Sequence, residues 1–123
     1  YNVFPFNTES PNHGPRQLIA NPHDIGASPF GWHDTNGING AEYTITRGNN
    51  VNAYLDRDAD NSPDEKSIEG GSGLVFDFPF DISKTPDNYQ EAAVTQLFYM
   101  NNFKFIGYYF LISTRLIFKF DRI

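Results

Sequence analysis

The first forty residues of this chain are punctuated by residue types that turn a backbone. Asn, Pro, Gly, His and Asp recur in runs such as Asn7-Thr8-Glu9-Ser10-Pro11-Asn12-His13-Gly14-Pro15 and Asn21-Pro22-His23-Asp24. These side chains either bond to their own backbone or fix φ, so the segment is predicted to be an extended, turn-rich arm. Val3, Phe4 and Phe6 suit a short strand at its start. Pro29-Phe30-Gly31-Trp32 contains the only Trp and is expected to pin the arm to a core.

Strand signals follow. Residues 41–46, Ala-Glu-Tyr-Thr-Ile-Thr, place β-branched and aromatic residues at period 2. Arg47-Gly48-Asn49-Asn50 then turns the chain, with Arg47 expected in a structural ion pair. Residues 51–55 return as a second alternating stretch, and Leu74-Val75-Phe76-Asp77-Phe78 reads as a strand ended by Pro79. One helix is signalled, over about residues 87–102. Asp87 and Gln90 have capping-box spacing beside Pro86, and Ala93, Leu97 and Met100 recur at helical period with Val94 and Phe98 alongside. The expected fold is α+β: a mostly β N-terminal lobe with a turn-rich arm and one buried helix, forming an incomplete domain.

The apolar content is concentrated in 12 Phe and 7 Tyr, rings that favour strands and half-buried surfaces. At 123 residues there is enough chain for one domain. The formal charge of −6 argues against nucleic acid and anionic membranes as partners. Its distribution is uneven. Lys104, Arg115, Lys119 and Arg122 stand against Asp121 alone in residues 103–123, so that tail carries +3 and residues 1–102 carry −9. The longest uncharged run of the tail, Phe105 to Thr114, has 10 residues, where a bilayer span needs about 20. There is no cysteine, which removes disulfides, thiolate metal sites and a cysteine nucleophile. The chain begins at Tyr1, has no signal-peptide pattern, and is expected to be a processed start or an excerpt.

The most suggestive site is the run Asp56-Arg57-Asp58-Ala59-Asp60-Asn61-Ser62-Pro63-Asp64. Alternating carboxylates in a loop can converge on calcium. Asp56, Asp58, Asp60 and Asp64 match the first, third, fifth and ninth positions of an EF-hand loop. Asn61 stands where that loop needs Gly and Ser67 where it needs Glu, so the candidates are a looser calcium loop or a solvated acidic turn. His13, His23 and His33 are ten residues apart, a spacing that suits no single metal-binding element. His23-Asp24 and His33-Asp34 are adjacent pairs that rarely face each other, and loop hydrogen bonding is their expected role. Ser72, in Gly71-Ser72-Gly73, lacks the flanking spacing of a nucleophile elbow. No His-Glu-x-x-His is present.

Five stretches together resemble the fungalysin family of secreted zinc metalloendopeptidases. They are Tyr1-Asn2-Val3-Phe4-Pro5; residues 27–34, Ala-Ser-Pro-Phe-Gly-Trp-His-Asp; residues 43–51, Tyr-Thr-Ile-Thr-Arg-Gly-Asn-Asn-Val; residues 76–81, Phe-Asp-Phe-Pro-Phe-Asp; and residues 91–99, Glu-Ala-Ala-Val-Thr-Gln-Leu-Phe-Tyr. Their order matches the start of the family's mature protease domain, so residues 1–102 are expected to be its N-terminal portion. The resemblance implies a secreted, extracellular parent that cleaves proteins or peptides. It also implies zinc held by a downstream His-Glu-x-x-His helix and a later Glu, in the missing remainder of the catalytic domain. No catalytic residue carries over onto this chain, which is expected to be inactive alone.

After Asn101-Asn102 the likeness breaks. Thirteen of the last 21 residues are Phe, Tyr, Ile or Leu, as would follow from reading an AT-rich gene out of frame. The competing expectation is a true variant in which Leu116-Ile117-Phe118-Lys119-Phe120 forms a closing strand. A second function remains open: a non-enzymatic extracellular β-rich binding module, for glycans or stabilised by calcium. With an apolar helix face and an aromatic tail lacking their partner, the chain is expected to be poorly soluble.

Overall fold

The computed structural model describes residues 1–8, 10–64, 67–107 and 116–118. Among these residues it is an α+β arrangement of one α-helix and two small sheets. β1 (Asn2–Val3) pairs antiparallel with β2 (Gln17–Leu18), setting Asn2 against Leu18 and Val3 against Gln17. β3 (Val51–Ala53) pairs parallel with β4 (Leu116–Phe118), with α1 (Gln90–Gly107) in the connection between them. A parallel pair requires such a crossover, because a tight turn cannot return a chain in the same direction. The closing strand considered for 116–120 is present over 116–118; residues 108–115, 119 and 120 lie outside the described residues.

The strands are shorter than the sequence pattern predicts. Residues 41–46 contribute only the isolated bridge Ile45–Glu69, and the return across the turn is marked by the bridge Arg47–Asn52. Leu74–Phe78 is not a strand. Its alternation is real, since Val75 is exposed and Phe76 fully buried. Its backbone is satisfied differently: Asn2 N–H donates to Phe76 O at 2.8 Å, and Arg16 Nη1 donates to Phe78 O at 2.7 Å. The other arm of the guanidinium reaches Asn2 O. A side chain thus supplies what a ladder of strand bonds would have supplied, which is how a buried carbonyl is satisfied without sheet.

The helix also differs from expectation. Residues Pro86–Asn88 form a 3-10 turn, and α1 begins at Gln90 and runs to Gly107, beyond the expected end at 102. Asp87 does not cap the helix; its Oδ1 accepts from Gln90 Nε2 at 3.0 Å. The buried face is rotated from the predicted stripe. Ala92, Val94, Thr95, Phe98, Tyr99, Asn101 and Asn102 are buried, whereas Ala93, Leu97 and Met100 are only half-buried. The hydrophobic repeat at 93, 97 and 100 therefore flanks the true core face, which includes three polar residues. Asn101 and Asn102 turn their amides back onto the carbonyls of Leu97 and Phe98, at 2.8 and 2.9 Å. Thr95 Oγ1 and Asn102 Oδ1 are buried without a hydrogen-bond partner.

The core gathers Val3, Trp32, Val51, Ala53, Ile68, Phe76, Val94, Phe98 and Tyr99. The expectation for Trp32 holds: its ring meets Phe98 and Tyr99 edge-on at 6.2 and 5.9 Å between centroids. That geometry sets the positive ring edge against the negative face. The arm approaches the turn at Gly48 so closely that a Cβ there would stand 1.8 Å from the Trp32 carbonyl oxygen.

Candidate functional site

The acidic loop springs from β3 and folds back on itself. Asp64 N–H donates to Leu55 O at 2.8 Å, closing its neck. Ala59 and Asn61 take positive φ (60° and 70°), so the tip turns sharply. Asn61 thus performs without glycine the turn that Gly would have made. Asp58 Oδ1 and Asp60 Oδ1 accept the amides of Asp60 and Ser62, at 3.3 and 2.7 Å.

Within this loop Asp56, Asp58 and Asp60 each offer a carboxylate oxygen, all within 4.8 Å of one another. Asp56 is buried at 2% exposure, while the other two are exposed. Asp64 is turned elsewhere: its Oδ2 lies 3.6 Å from Arg57 Nε, and its Oδ1 accepts from Arg57 N–H at 3.2 Å. Arg57 also reaches Gln90 Oε1, tying the loop to the start of α1. A pocket of about 590 Å³ opens there, with Asp58, Asp60, Asp64, Asp87 and Glu91 in its lining and, among the described residues, Arg57 as the cation. The donor chemistry is that of a hard cation, which takes oxygen ligands.

Zinc has different requirements, nitrogen or sulfur with few oxygens, and among the described residues no histidine joins a group of three or more potential ligands. His33 is buried at 2% exposure with both ring nitrogens engaged. Nδ1 donates to the Arg47 carbonyl at 3.0 Å, and because a carbonyl only accepts, Nε2 is left to accept from Tyr1 Oη–H at 2.7 Å. Burial lowers the pKa of this imidazole, opposed by bonds to the carbonyls of Arg47 and Ile45. It pushes the Tyr1 phenol well above the usual tyrosine range. His23 lines a separate cavity of about 330 Å³, with Tyr1, Trp32 and His33 also in its walls. Neither Asp24 nor Asp34 serves an imidazole. Asp24 Oδ1 accepts from Ala27 N–H at 2.9 Å, and Asp34 Oδ1 accepts from the amides of Asn36 and Gly37 at 3.3 and 3.0 Å.

Arg47 departs from the expected ion pair. Its guanidinium lies over the Tyr43 ring, 4.4 Å from the centroid. The Tyr1–His33–Arg47 chain was not visible in the sequence, since its members are 32 and 14 residues apart. The one hint was that His33 sits beside the Trp expected to be buried.

The residues matched by a family model now bear on this geometry. The model described as "Fungalysin metallopeptidase (M36)" matches residues 1–110, and the chain belongs to that metallopeptidase family. Its relatives include extracellular metalloproteinase 5 of Trichophyton tonsurans, 34% identical over 111 residues, covering 90% of this chain and 18% of that protein. Extracellular metalloproteinase MEP of Fusarium vanettenii is 33% identical over 103 residues, covering 83% and 16%. Extracellular metalloproteinase 1 of Arthroderma gypseum is 35% identical over 112 residues, covering 90% and 17%. The chain thus spans less than a fifth of the length of these relatives. Among the described residues, no helix is long and apolar enough to cross a membrane.

Proposed function

We propose that this chain is the N-terminal part of the catalytic domain of a secreted, zinc-dependent endopeptidase that hydrolyses proteins and peptides, and that it is inactive by itself. The family match over residues 1–110, in a sequence with no His-Glu-x-x-His, carries the reading. The zinc would be held by residues outside these 123, where it would polarise the scissile carbonyl and acidify its water. This chain's part is structural: α1 and the aromatic core brace the lobe against which the remainder packs. Exposed Leu18, Ile25, Ile38, Val75 and Ile82 favour such a partner. Casein hydrolysis with added zinc is the direct test. No cleavage is expected from this chain, and cleavage abolished by a chelator would overturn the reading.

We assign the charge-reversed tail, residues 103–123, to sequence that is not family-like; the family match itself reaches residue 110 and so overlaps the start of that tail. Sequencing the locus past Ile123 tests this. A His-Glu-x-x-His in another frame supports a shifted reading frame; a clean stop with no such sequence removes it.

Convergence of Asp56, Asp58 and Asp60 favours a second, compatible reading, a calcium-stabilised extracellular loop. Extracellular modules bind calcium at about 0.1–1 mM. A melting temperature unmoved by calcium and by chelator would remove it.

A further inference from the structure

His33 joins four segments, at Tyr1, Phe76, Phe98 and the Gly48 turn. Its ring stacks on Tyr1, the residue before β1 (6.1 Å, 7°), on Phe76 (5.3 Å, 3°) and on Phe98 of α1 (4.9 Å, 28°). Its two nitrogens bond Tyr1 Oη and the Arg47 carbonyl of the Gly48 turn. Tyr1 in turn exchanges bonds with Ile19: its ammonium donates to Ile19 O at 2.9 Å, and Ile19 N–H donates to Tyr1 O at 2.8 Å. Holding the Tyr1 ring therefore holds the β1–β2 pair.

We propose that His33 is an acid-sensitive latch: neutral, it clamps the β1–β2 pair onto the Gly48 turn and α1; protonated, it lets that pair go.

The chemistry is set by the two partners. With Nδ1–H committed to a carbonyl, the incoming proton must bind the Nε2 lone pair, the same one that accepts from Tyr1. The phenol then has to turn its hydrogen away and find another acceptor among rings. The charged groups nearby offer no compensation. From the segment before β1 come the Tyr1 phenol and ammonium, and Asp77 beyond them accepts from the Asn2 side-chain amide at 2.8 Å. From the turn comes Arg47, whose guanidinium sits over Tyr43. From the arm come Asp34 and Glu42, whose carboxylates accept loop amides, Glu42 that of Thr35 at 2.6 Å. Phe76 and Phe98 bring no charge, and among the described residues no carboxylate contacts the imidazole. A charge placed there is desolvated and unpaired, which disfavours it.

The sign follows from linkage. A histidine whose folded pKa is lowered binds fewer protons folded than unfolded. Its contribution to stability is complete above the ordinary imidazole pKa. It is lost as pH falls from there toward the lowered value. The latch therefore opens in mild acid and is closed at neutral pH.

Hydrogen exchange of the full chain tests this at about pH 7 and about pH 5, the range in which histidine acts as a switch. The reporters are the Asn2 and Ile19 amides, corrected for intrinsic exchange. Their protection is expected to fall severalfold in acid, with that of the α1 amides falling less. In His33→Asn, which keeps a donor toward Arg47 O, the fall should vanish. An equal fall in the variant overturns the latch. Should that variant not fold, imidazole nitrogen shifts of the native chain decide. A His33 that charges over the ordinary imidazole range while both amides stay protected is incompatible with the proposal.

Discussion

The side-chain amide of Gln96 holds both main-chain polar groups of Phe4: Oε1 accepts from Phe4 N–H at 2.7 Å, and Nε2 donates to Phe4 O at 2.9 Å. The helix thereby extends β1 with one strand-like partner, 92 residues away in sequence. Replacing Gln96 with Ala leaves two part-buried groups unpaired. The expected cost is about 1–3 kcal/mol, read as a lower denaturation midpoint in dilute solution. Gln96→Glu keeps an acceptor and loses the donor, so it should fall between the two. A midpoint unchanged in both would show that water replaces the clasp without loss.

Gly48 tolerates no side chain. With a Cβ placed 1.8 Å from the Trp32 carbonyl oxygen, the obstruction is backbone on both sides and cannot rotate away. Gly48→Ala is expected to destabilise by about 3 kcal/mol, at the upper end of overpacking effects. The comparison is Gly70→Ala, whose Cβ would meet the Phe76 ring at 2.6 Å. That ring is fully buried, so this variant should also be destabilised, but less, because a side chain can shift where a main chain cannot. Equilibrium unfolding of the pair would reveal a reversed order.

The orphaned hydroxyl of Thr95 offers a gain. It is fully buried on α1, with no bond made by Oγ1. Thr95→Val keeps the shape and removes an unsatisfied polar atom. The expected outcome is a stabilisation of about 1 kcal/mol, seen as a higher melting temperature. A loss of similar size would mean that an ordered water serves the hydroxyl.

Exposed apolar side chains should dominate solution behaviour. Leu18 at 70% exposure, Ile25 at 76% and Ile38 at 69% carry large aliphatic area into solvent. The chain is expected to associate as concentration rises, with light scattering increasing before any thermal transition. A monomer at high concentration with a sharp, reversible melt would contradict this.

Much of the fold was legible because local chemistry matched the global arrangement. The arm's turns, the burial of Trp32, the turn at Gly48 and the presence of one helix follow from residue types. The helix face did not, because periodicity of Ala93, Leu97 and Met100 competes with a face that includes Thr95, Asn101 and Asn102. Polar residues that bond their own helix backbone are invisible to a hydrophobic count. Leu74–Phe78 misled for the converse reason: its alternation is that of a strand, while its partners are Asn2 and a guanidinium. In the acidic loop the sequence pointed to four carboxylates. Three converge, and Asp64 went to Arg57, a choice set by the fold of the loop rather than by spacing.

The hydrogen bonds of Arg16 go to carbonyl oxygens, those of Phe78 and Asn2, while its guanidinium lies over the Phe80 ring at 5.7 Å from the centroid. Main-chain atoms are common to every residue type. Positions 2 and 78 are therefore free to drift in evolution as far as this bond is concerned, while position 16 is not. Lysine, a compact point of charge, lacks the rigid planar fork that serves both oxygens at once. Where substitutions accumulate around the arm, this arginine is the one to expect unchanged.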